Sequence, residues 1–281
     1  MADNHLIAKN TVFLYIRMLL SMGIYLYTTR VVLSILGVED YGIYNVVGGL
    51  VAMFSFLNAT MSGATSRFIT FELGKNSSKV QTVFSVALTI HIIIALIVFL
   101  IGETFGLWFL ENKLTIPATK MYEAKWLLQF SIVTMIFSFT QVPYNASIIA
   151  HEKMNIYAYF ELVNVGLKLL SVYLLLIIDA NKLIFYGAIV MLTQIGVTLL
   201  YRLYCTRKWE HCKFNLSLDR EFLRPLLSYS GWDLFGNASL VARTQGVNVL
   251  LNIFFGAILN AAAGIAMQVQ TAAMSFATNV M

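Results

Sequence analysis

Charge is scarce in this sequence. Asp, Glu, Lys and Arg make up 12% of the 281 residues, against about 25% in an ordinary soluble protein. With 59% of the residues hydrophobic, that scarcity excludes a water-soluble globule. Cysteine is almost absent as well. Cys205 and Cys212, with His211 beside the second, offer too few ligands for a zinc site, and one isolated pair is no disulfide framework. Both are expected to be free thiols on the cytoplasmic side, with no metal bound. There is no Gly-rich phosphate loop ending in Lys-Ser or Lys-Thr, no HExxH and no GxSxG, so the sequence signatures of ATP hydrolysis, zinc proteolysis and serine-ester chemistry are missing. Neither enzyme activity nor a cofactor is expected.

What the chain has in abundance is long apolar runs. About 20 such residues cross a bilayer, and eight spans are predicted, at about 11–36, 43–65, 82–110, 126–150, 156–178, 183–205, 226–255 and 258–281. The first exceeds the apolar core of a cleaved leader and only Lys9 precedes it, so it is expected to stay as a span. The stretch Arg30–Leu50 organises the rest: Gly37 and Gly42 bracket Glu39 and Asp40, which reads as a very short loop folding two spans back on each other.

Sides follow from the basic residues. Lys9, Arg67, Lys75, Lys79, Lys153, Arg207, Lys208, Lys213, Arg220 and Arg224 fall in one set of connections, and Lys113, Lys120, Lys125 and Lys182 in the other. The richer set belongs to the cytoplasm, which puts the N-terminus there. The net charge of +5 is thereby read as a membrane signature, and no nucleic-acid partner is expected. The longest connection, 206–225, carries Phe214, Leu216, Leu218 and Phe222 among charges and is expected to lie along the membrane surface. It divides residues 1–205, a six-helix lobe, from 226–281, the first two helices of an incomplete second lobe. A weak internal echo supports the division: Leu33-x-Ile35-x-Gly37 before Gly42-Ile43 matches Leu251-x-Ile253-x-x-Gly256 before Gly264-Ile265, as in transporters built from repeats. The chain is accordingly expected to be part of a longer protein.

Polar side chains inside the spans mark candidate sites. Tyr157, Glu161, Asn164, Lys168 and Ser171 recur at helical spacing on one face. Asp233, Asn237, Thr244 and Asn248 with Arg243 follow in the seventh span, and Asn260, Gly264, Gln268, Thr271 and Ser275 in the eighth. Arg17, Ser21 and Arg30 lie in the first, Asn58, Ser62 and Thr65 in the second, and His91 in the third. The Ser, Thr and Asn positions suit helix-to-helix hydrogen bonding. Each charge facing lipid near the bilayer centre would cost about 2.5–3.5 kcal/mol, so the charged residues are assigned to a cavity. Arg17, Arg30, Arg243 and Lys168 are the candidate anion ligands. Asp233, Glu161 and His91 are candidates for ion coupling, and Asn164, Asn237, Thr244, Asn248 and Gln268 for polar lining. Gly102 and Gly106 read as a packing motif.

The segment Arg30–Asn45, with its Leu-Gly37-Val-Glu-Asp-Tyr41-Gly42-Ile-Tyr44 core, resembles the first helical hairpin of polysaccharide-export flippases. These belong to the multidrug/oligosaccharidyl-lipid/polysaccharide exporter superfamily. A second similarity lies at Pro143-Tyr-Asn145, Ala150-His-Glu152-Lys153 and Tyr157. The resemblance implies an all-α polytopic fold of about 12–14 helices in two lobes around a central cavity. It implies alternating access that carries an undecaprenyl-pyrophosphate-linked oligosaccharide across the bacterial inner membrane for O-antigen or capsule synthesis. The implied partners are that lipid-linked glycan, the bilayer and glycan polymerase or assembly proteins. Flippases of peptidoglycan precursors hold pyrophosphate with cavity arginines, and Arg17, Arg30 and Arg243 occupy comparable helices. Two alternatives stand beside it. A multidrug extrusion antiporter of the same fold would want an acidic, aromatic cavity. A glycan polymerase or ligase would want a large outer loop with His, Arg or Asp, and the loop at 111–125 is short and has no His.

Overall fold

A computed structural model describes the backbone of residues 2–75, 78–178 and 181–278, and side chains from Met18 to Met274 except those of residues 76, 77, 179, 180, 232, 272 and 273. Its long elements are all helices: α1 (Ala2–Ala52), α2 (Ser55–Gly74), α3 (Val80–Ile101), α4 (Leu107–Asn112), α5 (Met121–Ala150), α6 (Met154–Ile177), α7 (Lys182–Lys208) and α8 (Arg220–Thr278). A single π-helical turn, Gly102–Gly106, joins α3 to α4 without ending the rod. Six stretches within these helices are long and apolar enough to cross a membrane. They remain apolar where they are exposed, as at Ile92, Leu96, Leu100, Leu174 and Leu203. This is a multi-pass helical membrane protein.

Two of the six stretches hide a reversal. In α1, Gly37 takes φ 79°, ψ 170°, a conformation essentially reserved for glycine, and the chain doubles back on that one residue. Gln268 shows the fold-back: its Oε1 accepts from the Thr29 hydroxyl on the first arm and its Nε2 donates to the Tyr41 hydroxyl on the second. A straight helix would set those residues about 18 Å apart along its axis. In α8, Gly256 takes φ 78°, ψ −173°, and Asn260 past that corner donates to the Asn248 carbonyl before it. Counting the arms separately gives the eight segments read from the sequence. The first hairpin differs from expectation in having no loop. Residues 38–42 are helical, and Gly42 serves close packing instead, since a Cβ there would overlap the carbonyl oxygen of Ala257. The two corners thus sit against each other, and the hairpins of α1 and α8 form the most extensive helix contact.

Beside the first hairpin α5 is a central post, packed on α1, α2, α3 and α7. One apolar core, including Leu36, Ile43, Val46, Leu110 and Leu128, lies at the corner end. A second, including Phe84, Tyr144, Ile148, Tyr201 and Leu226, lies at the other. The second arm of the first hairpin is interrupted at Met53–Phe54 before α2 continues it.

Connections sort into two ends. At the corner end, Lys120 pairs with Asp40 at 2.8 Å, the Thr115 amide donates to Asn252 Oδ1 at 2.9 Å, and Asn181 donates to Glu123. At the opposite end Lys79 pairs with Glu221 at 2.6 Å, and His151 stacks on Trp209 at 4.0 Å. These are the two sets that the basic residues separated. The stretch 206–225, expected as an amphipathic connection, is helical only at its two ends. α7 runs on to Lys208, residues 213–219 are non-helical, and α8 begins at Arg220. The extended piece is tied to α3, with Gln81 donating to the Lys213 carbonyl and the Asn215 amide to Ser85. Cys212 and Phe222 are buried beside it. Cys205 and Cys212 are unbridged thiols. Hydrogen bonds from Cys205 and His211 hold the Cys212 thiol below its usual range.

Candidate functional site

Where the α1 and α8 hairpins meet α5 and α7, the packing leaves a cavity of about 720 Å³, within the size range of small-molecule sites. Glycines make the room. Gly48 faces open space, and a Cβ on Gly49 would stand 2.7 Å from Asn248 Nδ2, one on Gly264 2.7 Å from Asn45 Nδ2. The hairpins contribute Tyr25, Tyr44, Asn45, Gln245, Asn248 and Gln268 to the wall, while Ser131, Thr134 and Ser138 on α5 and Gln194 on α7 close it. Spacing explains the α5 face, because three- and four-residue steps put one side of a helix in register.

Among the described residues the wall sets polar groups without charge beside apolar ones such as Leu127, Phe130, Met135 and Val190. Its groups are largely held in place. Gln194 donates to Gln141 at 2.9 Å, Asn248 to the Asn45 carbonyl at 3.2 Å, and Asn58 to Ser138 at 3.0 Å. Tyr44 packs against Tyr186 with ring centroids 4.9 Å apart. Asn45 Nδ2 is the exception: it is buried and has no hydrogen-bond partner among the described residues. Such an orphan donor costs about 1–3 kcal/mol until something accepts from it.

Comparison of the chain with protein families, curated proteins and solved structures returned no match. The geometry alone therefore carries the site.

Of the residues singled out by sequence, the structure brings Thr244, Asn248, Gly264, Gln268 and Thr271 onto the cavity wall. It does not bring the charged ones there. Arg30, Arg243, Lys168 and Asp233 are exposed, and Glu161 and Asn164 half-buried, all outside the wall. Arg17 lies outside the residues whose side chains are described. Glu161 and Lys168 form no ion pair among the described residues. His91 is fully buried in α3, its Nδ1 2.7 Å from the Ala87 carbonyl. Asn237 acts as interhelical glue, donating to Thr60 of α2 at 3.2 Å. Charges placed on exposed faces of spans remain costly against lipid, so the faces carrying Arg243 and Asp233 look onto water or protein.

A second cavity, of about 350 Å³, adjoins the first through Val51 and is walled by apolar side chains, among them Phe54, Phe56, Phe105, Leu128 and Val241. Gly102 and Gly106 of the π-turn line it too. The same turn carries Glu103, a carboxylate that sequence reading passed over: Gln129 donates to Oε2 at 3.0 Å while Oε1 is buried and unpartnered among the described residues. Intramembrane carboxylates and π-turns both concentrate at functional positions, and the Glu in Gly-Glu-Thr-Phe-Gly was the available signal.

Proposed function

We propose that the chain belongs to a flippase that carries a lipid-linked oligosaccharide across the bacterial inner membrane, its N-terminus cytoplasmic, by alternating access. The observation that supports this reading is the adjacency of an uncharged polar cavity and an apolar one that share Val51. An amphiphile with a hydroxyl-rich head and a hydrocarbon chain is complementary to both at once. The paired hairpins with identical one-glycine corners support a repeat-based transporter of about 12–14 helices in two lobes, of which residues 1–205 form the first and 226–281 begin the second. Lipid-linked glycan is the proposed substrate, and glycan polymerase or assembly proteins the proposed partners. No catalytic role is assigned.

The wall argues against the same-fold alternative, an organic-cation antiporter. Such cargo needs an anionic partner where water is excluded, and the described wall supplies no carboxylate.

Deletion of the gene tests the reading. Surface glycan is expected to disappear and lipid-linked oligosaccharide to accumulate on the cytoplasmic leaflet, both restored by the wild-type gene. A deletion strain with normal glycan and raised drug sensitivity would favour the antiporter.

A further inference from the structure

We infer that the polar cavity recognises neutral sugar residues bearing hydroxyl and acetamido groups in preference to acidic sugars. This rests on the flippase reading and narrows its substrate.

The chemistry of the wall sets the class. Primary amides at Asn45, Gln245 and Gln268 keep donor and acceptor capacity, and Gln194 keeps its Oε1 because its amide nitrogen already donates to Gln141 and Thr198; sugar hydroxyls pair with either polarity. A carboxylate entering the cavity would meet no cation among the described residues of its wall. Uncompensated burial of one ion costs several kcal/mol, more than neutral hydrogen bonds of about 1 kcal/mol each return. Arginine forks are the usual remedy for such anions, and Arg30 and Arg243 lie off the wall.

Two further observations point to a ligand. The buried Asn45 Nδ2 lacks an acceptor, which a hydroxyl or acetamido oxygen supplies. The Tyr25 and Tyr44 rings stand on the same wall, offering an apolar face with a polar tip to the carbon face of a pyranose. Neutral sugar is matched on both counts.

Saturation-transfer NMR on the purified chain in lipid nanodiscs decides the matter, with chitotriose as the neutral acetamido probe and trigalacturonate as the acidic one. Chitotriose should bind severalfold more tightly. Asn45→Leu should weaken it about fivefold, the equivalent of one hydrogen bond, and Gly48→Trp, placed in open space, should abolish it with the circular-dichroism melt unchanged. Gln270→Arg, at an exposed position of the wall, should raise trigalacturonate binding. Equal or tighter binding of trigalacturonate by the wild-type chain overturns the inference, as does absence of binding by either probe or chitotriose binding indifferent to both wall variants. Acidic preference with glycan display lost on deletion sinks the sugar class and leaves the flippase. Chitotriose binding with normal display does the reverse.

Discussion

Gly37 and Gly256 hold nearly the same backbone conformation, with φ of 79° and 78°, and each turns a helix back without a loop. A Cβ in that region costs about 1–3 kcal/mol. Gly37→Ala and Gly256→Ala are therefore expected to lower thermal stability in detergent, whereas Gly48→Ala, helical and facing open space, should leave it unchanged or raise it slightly. Equal melting of all three variants would show that the corners carry no strain-dependent role. Gly42 belongs with the pair for a different reason. Its neighbour is the backbone of Ala257, which cannot yield as a side chain does, so Gly42→Ala should also destabilise. From the sequence the Gly37 reversal was legible, because glycine beside acids marks a turn. That Gly42 is a helical contact was not, since a glycine looks the same whether it is needed for its dihedrals or for its missing side chain.

Helices were readable where length and apolarity decide, and less so where neighbours decide. The interruption at Met53–Phe54 falls within Ala-Met-Phe-Ser-Phe, a run with no breaker in it, so only tertiary packing places it there. The non-helical backbone at Phe214, Leu216 and Leu218 agrees with their own spacing. Those residues alternate, a period of two that belongs to extended chain and not to a helix, and extended chain is what the structure has. Ion pairs at the two ends of the bundle differ in worth. Lys79 and Glu221 are about half exposed, and Lys120 and Asp40 are 30% and 18% exposed. Exposed pairs contribute little. Lys79→Met should leave stability nearly unchanged and Lys120→Met should cost about 1 kcal/mol. Paired chemical or thermal melts check this, and a larger loss at Lys79 would refute the ranking.

The bundle presents its connections in two groups, and the proposed orientation, with the excess of Lys and Arg inside, predicts that the group holding Lys79, Lys153 and Lys213 faces the cytoplasm. Both native cysteines are buried, which keeps the labelling background low. Lys113→Cys should react with a membrane-impermeant maleimide on intact cells, and Lys213→Cys only after lysis; the opposite pattern inverts the topology. The site was half legible at this level. Helical spacing found Thr244, Asn248, Gly264, Gln268 and Thr271, but passed over Ser131, Thr134, Ser138 and Gln194 on the same wall. It favoured the arginines because intramembrane charge is costly, and a one-dimensional pattern gives the face of a helix without saying what that face meets. The one-residue corners have a mechanical consequence. With no slack at Gly37, the first hairpin has no loop in which its arms could take up sliding, while the Asp40–Lys120 pair fastens the second arm to the turn that opens α5.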